Sequence, residues 1–147
     1  MSRKVLIIQA RMGSARLPKK TILELAGKPL VVRILERVKR VKNIDEIVLA
    51  TSVLPQDDVL EDLAKSNNVK SFRGSHEDLV DRYYCAAKFF NAKTILRLPA
   101  DNPFPEPSEY DRLMKYFQSS GKDFVSNILP FMQNGYANGI GVEIFTF

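Results

Sequence analysis

The stretch from Val5 to Lys20, VLIIQARMGSARLPKK, decides the fold of this chain. Its first residues form a short apolar run, Val5–Ile8, which is typical of a strand buried in a sheet. The basic loop that follows, residues 10–20, contains a small-residue turn at Gly13-Ser14 and four cations. These are Arg11, Arg16, Lys19 and Lys20. Glycine lets backbone N–H groups approach oxygen atoms, and arginine and lysine bind them by charge, so this order of residues favours a polyphosphate site. A solvated basic loop is the alternative for the charges alone.

Length and composition predict one domain, residues 1–147, with a hydrophobic fraction of 45% that suffices for a layered core. No apolar run reaches the length of a membrane span, so we interpret the N-terminus as the first strand of a cytoplasmic protein that binds no membrane. The single cysteine, Cys85, excludes an internal disulfide, and we expect it to be a small core residue. His76 is the only histidine and is interpreted as structural, which argues against zinc chemistry and a Ser-His-Asp triad.

The positive charge is concentrated at the start of the chain. Residues 1–42 contain twelve Lys or Arg and two acids, whereas the rest of the chain carries more acids than bases. A cationic N-terminal third suits an anionic ligand such as a nucleotide, an acidic sugar or a nucleic acid.

Strand patterns alternate with helix patterns along the whole chain. We predict strands at Val5–Ala10, within Ile44–Ser52, and at Val69–Arg73, Thr94–Leu98, Phe124–Ser126 and Val142–Phe147. We predict four helices, opened by Pro29, by Asp57 or Asp58, by a capping box of Ser75 and Asp78, and by Ser108. The alternation indicates an α/β fold with a mostly parallel sheet covered by helices on both faces.

Polar loops follow each of the first four strands. Their sequences are ARMGSAR, ATS, RGS and ADNP. Because ligands of such sheets bind outside the carboxyl ends of the strands, four loops at one edge predict the binding site better than any one of them.

Three of these loops carry side chains with a specific chemistry. Asp101 follows the fourth strand and is suited to bind Mg²⁺, although an N-cap or Asx turn before proline is the alternative. Asp81 and Arg82 could bind substrate or form an exposed surface pair, and adjacent helix residues do not face each other. The Thr51 hydroxyl could bind the edge of a base, a weak signal because many strands end in Thr-Ser.

The segments IQARMGSARLPKKTILELAGKPL, IVLATS, FRGSHEDLVDRYY, RLPADNPFPEPSEYDRL and GVEIFTF occur in this order. Together they resemble the cytidylyltransferases that make CMP-activated acidic sugars, the acylneuraminate and KDO type, and within them the branch of spore coat polysaccharide biosynthesis. The resemblance covers almost the whole chain. It implies a nucleotide-diphospho-sugar transferase (GT-A) fold, a three-layer α/β/α sandwich.

The resemblance also implies a role for each matching residue. Arg16, Lys20 and Asp101 would be catalytic, Asp81 and Arg82 would bind substrate, and Asp101 with Glu143 would bind the metal Mg²⁺. The nucleotide would be bound by Ala10, Arg11, Gly13, Ser14, Arg16, Lys20, Ala50, Thr51, Ser52, Arg73, Gly74 and Ser75. Two positions depart from the family pattern: Ala100 stands where a glycine is usual, and Gly141 stands where an aspartate is usual.

The implied reaction is transfer of CMP from CTP to an acidic sugar with release of pyrophosphate. The chain is shorter than the family's domain, and the missing C-terminal part would supply sugar contacts and the contacts of a homodimer. A nucleotide-binding or scaffold protein without catalysis is therefore the alternative. A nucleic-acid-binding domain is disfavoured because the chain has no recognition motif.

Overall fold

Eight strands and four helices follow one another in the computed structural model, which describes residues 3–13, 17–128 and 140–147. The strands are β1 (Lys4–Gln9), β2 (Glu24–Leu25), β3 (Lys28–Pro29), β4 (Glu46–Ser52), β5 (Lys70–Gly74), β6 (Thr94–Pro99), β7 (Phe124–Ser126) and β8 (Glu143–Thr146). The helices are α1 (Leu30–Val38), α2 (Asp58–Ser66), α3 (Leu79–Phe89) and α4 (Pro107–Ser120). Two single-turn 3₁₀ helices, Lys20–Ile22 and Pro55–Asp57, lie in the loops.

Six of the strands form one sheet in the order β5-β4-β1-β6-β8-β7. The strands β1, β4, β5 and β6 are parallel, whereas β8 is antiparallel to both β6 and β7. The prediction of a mostly parallel sheet is therefore confirmed. The chain builds the sheet outward in one direction from β1 to β5 and then returns to place β6 on the other side of β1. Ligands of open α/β sheets bind at such a reversal.

Residues of β1 alternate between two apolar layers. Leu6 and Ile8 pack in the larger core, which also contains the apolar faces of α1, α2 and α4. Val5 and Ile7 pack on the opposite face against α3, where Tyr83 is buried. Because β1 is buried on both faces, its sequence is a continuous apolar run from Val5 to Ile8. The three-layer α/β/α sandwich is confirmed.

The starts of three helices differ in detail from the sequence prediction. Helix α4 begins at Pro107 with Glu106 as its N-cap, two residues before Ser108, the predicted cap. The earlier start is explained by proline, which is well suited to the first turn of a helix. Asp78 rather than Ser75 caps α3, and its carboxylate accepts a 2.9 Å hydrogen bond from the Asp81 N–H. The Ser75 hydroxyl instead accepts from the Asp78 N–H at 3.0 Å.

Asp57 precedes α2, as predicted, but its side chain makes no capping hydrogen bond to that helix. Its carboxylate is directed toward the basic loop instead. The prediction of a side-chain cap at this helix is therefore wrong.

Candidate active site

The first residues after β1 and β6 are bonded to the neighbouring strands at the carboxyl edge of the sheet. The N–H of Ala10 donates to the carbonyl of Ala50 at 3.1 Å, and the N–H of Ala100 donates to the carbonyl of Gln9 at 2.9 Å. These bonds continue the parallel ladders past the ends of the strands. The segments predicted to bind nucleotide and metal therefore begin side by side at the same edge of the sheet.

Lys20 and Asp101 meet above this edge. The Lys20 Nζ atom lies 3.2 Å from the Asp101 Oδ2 atom, and both side chains are partly exposed. The Asx turn proposed as an alternative role for Asp101 is made by its neighbour, since the Asn102 Oδ1 atom accepts from the Phe104 N–H at 3.2 Å. The structure thus brings a predicted phosphate-binding cation and the predicted metal ligand into direct contact.

The basic loop also approaches the segments that follow β4 and β5. A Cβ atom added at Gly13 would lie 3.3 Å from the Gln56 Nε2 atom and 3.7 Å from the His76 Cε1 atom. The absence of a side chain at Gly13 therefore allows this close approach. Gln56 and His76 were not predicted as site residues, since no spacing or motif relates them to Gly13 in sequence.

Ser14 and Arg16 lie outside the described residues, so their roles stay predictions. Arg11, which precedes them, has an exposed side chain, and its carbonyl accepts a 3.1 Å hydrogen bond from the Thr21 hydroxyl. This bond fixes the backbone and leaves the guanidinium at the surface.

Asp57 links the basic loop to the end of β4. Its fully buried carboxylate accepts from the Met12 N–H at 2.7 Å. It also accepts from the Ser52 N–H at 3.3 Å and from the Ser52 hydroxyl. Sequence reasoning assigned Asp57 only to helix capping, because nothing in the local pattern points to a partner 45 residues away.

The predicted base-binding segment at the end of β4 is buried. Ala50, Thr51 and Ser52 are each at most 1% exposed. The Ser52 hydroxyl is bonded to Asp57, whereas the Thr51 Oγ1 atom has no hydrogen-bond partner within the described part of the chain. Buried hydroxyls are rarely left unpaired, so Thr51 is the member of this segment with free bonding capacity.

Arg73 holds the structure around β4 together. Its guanidinium donates to the carbonyls of Ser52 at 3.0 Å and Leu54 at 2.9 Å. It also forms ion pairs with Asp58 at 2.6 Å and Glu61 at 3.1 Å, and the hydrogen bond to Asp58 raises the pKa of Arg73. Its described contacts are thus made within the protein, while its predicted role in nucleotide binding stays untested.

Gly74 allows α3 to pack closely on β5. A Cβ atom there would lie 2.8 Å from the Phe72 Cε1 atom and 3.2 Å from the Arg82 Cγ atom. Ser75 follows and its carbonyl accepts from the Arg82 Nε atom at 2.8 Å. Two of the three residues in the predicted RGS element therefore position Arg82.

Asp81 and Arg82 have different environments, as expected of neighbours on a helix. Asp81 is exposed, whereas Arg82 is 1% exposed and donates to the carbonyls of Ser75 and His76. The exposed surface pair proposed as an alternative therefore does not describe Arg82. Burial, followed by the positive charge of Arg11, lowers the pKa of Arg82. The Arg82 Nη1 atom has no partner among the described residues, so this cation retains a free donor.

Glu143, predicted as a second metal ligand, lies in β8 opposite Arg97 of β6 and forms an ion pair with it. Within the described ranges, no group of three or more His, Cys, Asp or Glu side chains is arranged to hold a metal ion. Mg²⁺ is usually bound by one or two protein carboxylates together with substrate phosphates and water. The partly exposed Asp101 fits that mode of binding without a carboxylate cluster.

The sequence profile of the cytidylyltransferase family matches residues 5–137. Among curated proteins, an uncharacterised protein of Methanocaldococcus jannaschii is 37% identical over 143 residues, 96% of this chain and 56% of its own length. The spore coat polysaccharide biosynthesis protein SpsF of Bacillus subtilis is 36% identical over 80% of this chain and 51% of its own. A 3-deoxy-manno-octulosonate cytidylyltransferase of Escherichia coli is 31% identical over 78% of this chain and 46% of its own.

Solved structures have the same fold. A cytidylyltransferase from Leptospira borgpetersenii superposes with a TM-score of 0.91 at 36% identity, over 99% of this chain and 61% of that one. A CMP:2-keto-3-deoxy-manno-octonic acid synthetase complexed with CTP superposes with a TM-score of 0.77 at 21% identity, over 99% and 74% respectively.

The chain spans about half the length of the curated relatives that it matches. In residues 3–13, 17–128 and 140–147, no helix is long and apolar enough to cross a bilayer.

Proposed function

This chain belongs to the cytidylyltransferase family, and on that premise we propose that it carries the nucleotide site of an enzyme that transfers CMP from CTP to an acidic sugar. The product would be a CMP-sugar for surface polysaccharide biosynthesis. The contact between Lys20 and Asp101 at the reversal point of the sheet is the observation that carries the proposal. It joins a cation suited to a phosphate with a carboxylate suited to a phosphate-bound metal.

In the proposed reaction, a sugar hydroxyl oxygen attacks the α-phosphorus of CTP. The new oxygen–phosphorus bond forms as the bond to the β-phosphate oxygen breaks, the hydroxyl proton passes to solvent, and pyrophosphate leaves. No protein nucleophile takes part, which agrees with the sequence-based interpretation of the single histidine, His76, as structural. The contribution of the protein is to align the reactants and to neutralise charge.

The cations of the basic loop would bind the triphosphate. Lys20 contacts Asp101, the Arg11 backbone is bonded to Thr21 next to Lys20, and Arg16 is added from the sequence. Asp101 would hold Mg²⁺, which when bound would neutralise phosphate oxygens and help to orient them. Glu143 as a second ligand is a proposal that requires release of its carboxylate from Arg97.

The cytidine would lie on the β4 and β5 side of the basic loop. The unpartnered Thr51 hydroxyl and the buried Arg82 are the polar groups there with free bonding capacity. Ala10, Ala50, Ser52, Arg73, Gly74 and Ser75 would shape this part of the site. The backbone at Gly13 would approach the triphosphate, and Asp81 would face the substrate from the start of α3. We further propose a homodimer that acts in the cytoplasm and binds neither nucleic acid nor membrane.

The alternative is a protein of the same fold that binds nucleotide without turnover. The chain spans about half the length of the curated relatives, so its residues bear on nucleotide binding more directly than on transfer to a sugar. The two functions differ in one measurable step, the release of pyrophosphate.

Calorimetric titration with CTP, UTP, ATP and GTP, each with and without Mg²⁺, tests the nucleotide site. We expect selective binding of CTP that Mg²⁺ strengthens. A pyrophosphate-release assay with a panel of acidic sugars then separates transfer from binding alone. Binding of no nucleotide would contradict both functions, and CTP binding without turnover on any acidic sugar would support the alternative.

A further inference from the structure

We propose that Asp57 is a positioning residue that holds the start of the basic loop, residues 10–13, in the shape that binds the triphosphate. The inference rests on the proposed function, since it concerns how that same nucleotide site is built. Asp57 does not need to touch the nucleotide for this role. It acts through the backbone of Met12, whose neighbours Arg11 and Gly13 are both proposed to contact phosphate.

The first observation is the bond itself. Asp57 Oδ1 accepts from the Met12 N–H at 2.7 Å, a short bond of the kind made by an ionised acceptor. The Met12 side chain is only 7% exposed and belongs to the larger core. Met12 is therefore fixed both by its backbone and by its side chain, near the start of the basic loop.

The second observation is that helix capping does not explain the burial of Asp57. The residue occupies the N-cap position of α2, yet its side chain accepts no hydrogen bond from that helix. All of its described acceptor contacts go to Met12 and Ser52. Burying a carboxylate is costly unless hydrogen bonds compensate. The bonds that compensate here connect the basic loop to the end of β4.

The third observation concerns charge. Burial and the positive charge of Arg11 lower the pKa of Arg82, whereas the Asp57 carboxylate raises it. The buried Asp57 thus offsets part of the repulsion between Arg82 and Arg11, the cation proposed to bind the triphosphate, before the nucleotide is present.

Asp57→Asn is the test variant because it keeps the shape of the side chain and removes the charge. Met12 donates to one oxygen of Asp57 and Ser52 donates to the other. An amide keeps only one of these two oxygens, so the variant loses the acceptor at one of the two positions. Loss of a hydrogen bond to a charged group corresponds to a factor of about ten or more in affinity. We expect the Kd for CTP to rise by about that factor, while the Kd for CMP, which lacks the β- and γ-phosphates, changes by less than about threefold.

Asp62→Asn is the matched control. Asp62 is an exposed acid on α2, five residues from Asp57, and its replacement removes the same charge without touching the basic loop. We expect this variant to keep the wild-type affinities for both nucleotides. A ratio of CTP to CMP affinity that stays at the wild-type value in Asp57→Asn would overturn the inference, because a purely structural role would affect both ligands alike.

Hydrogen exchange in the wild-type protein provides a test that does not depend on whether the variant folds. We expect the Met12 amide to be protected before nucleotide is added, since its acceptor is a buried carboxylate of the protein. Fast exchange of this amide in the nucleotide-free protein would also overturn the inference. Failure of the wild-type protein to bind CTP would instead contradict the proposed function, so the two failures are distinguishable.

Discussion

The Nζ atom of Lys20 lies 3.2 Å from the Oδ2 atom of Asp101, although the two residues are 81 positions apart in the sequence. Both side chains are partly exposed, so their attraction is screened by water and contributes at most about 1 kcal/mol to stability. A pair that is weak for folding and lies at the reversal point of the sheet is suited to binding. When the nucleotide binds, its phosphates would take the place of Asp101 beside Lys20, and the metal ion would take the place of Lys20 beside Asp101.

We predict that Asp101→Ala abolishes Mg²⁺-dependent pyrophosphate release and leaves the fold intact. The variant removes the proposed metal ligand, so the metal-dependent activity should be lost. For the fold it removes only a partly exposed ion pair, so the free energy of unfolding should change by less than about 1 kcal/mol. Activity assays and denaturant unfolding of the same preparation measure the two effects. Asp62→Ala, at an exposed acid outside the site, is the control. An Asp101→Ala enzyme that remains active with Mg²⁺ would refute the assignment.

The sheet and the loops at its edge could be predicted from the sequence because they depend on local patterns. The run Val5–Ile8 is apolar throughout since β1 is buried on both faces. Alternation of such runs with helix patterns determines the layers, and the layers bring the basic loop and Asp101 to one edge.

The partners of buried charges could not be predicted in this way. Arg73 is engaged by Asp58, Glu61 and two carbonyls, and Arg82 is enclosed by α3 and the segment after β5. Asp57 binds Met12 instead of capping α2. A charged residue has the same type and spacing in the sequence whether it binds a ligand or pairs with another residue of the chain. Only the three-dimensional structure, which shows the distances between segments far apart in sequence, distinguishes these two roles.

We predict that Gly74→Ala destabilises the protein by about 1–3 kcal/mol, the range for inserting a methyl group into a packed interior. The new Cβ would overlap the ring of Phe72 in the same strand at 2.8 Å, so that ring would have to turn aside. It would also press on the Arg82 Cγ atom at 3.2 Å, so α3 would have to move away from β5. Urea unfolding of the variant measures the loss. Lys70→Ala in the same strand, at an exposed position, is the control and should be nearly neutral. Equal stability of the two variants would mean that the Phe72 ring moves aside freely.

We predict that Tyr110→Phe weakens the dependence of stability on alkaline pH. Burial raises the pKa of Tyr110 in the folded protein, so above about pH 10, the ordinary value for tyrosine, only the unfolded chain loses this proton. The free energy of unfolding then falls as the pH rises. The variant removes this contribution. It also loses the 3.2 Å hydrogen bond to the Gly141 carbonyl, at a cost of about 1 kcal/mol at neutral pH.

Urea unfolding at neutral pH and just above pH 10 measures both effects of Tyr110→Phe. Tyr116→Phe is the control because Tyr116 lies on the same helix and is 54% exposed. Its pH dependence should match that of the wild-type protein. A decline in Tyr110→Phe as steep as in the wild-type protein would show that Tyr110 does not contribute to the alkaline loss of stability.

We predict that Asp81→Asn increases the rate at which Cys85 reacts with iodoacetamide. The Cys85 Sγ atom lies 3.5 Å from the Asp81 Oδ1 atom, and partial burial together with this carboxylate raises the pKa of Cys85. Removal of the negative charge lowers that pKa, and because the thiolate is the reactive form, the rate at slightly alkaline pH should rise. Glu77→Gln removes a nearby exposed charge that does not contact the thiol, and it should leave the rate unchanged. Equal rates in all three proteins would show that Asp81 does not control the reactivity of the Cys85 thiol.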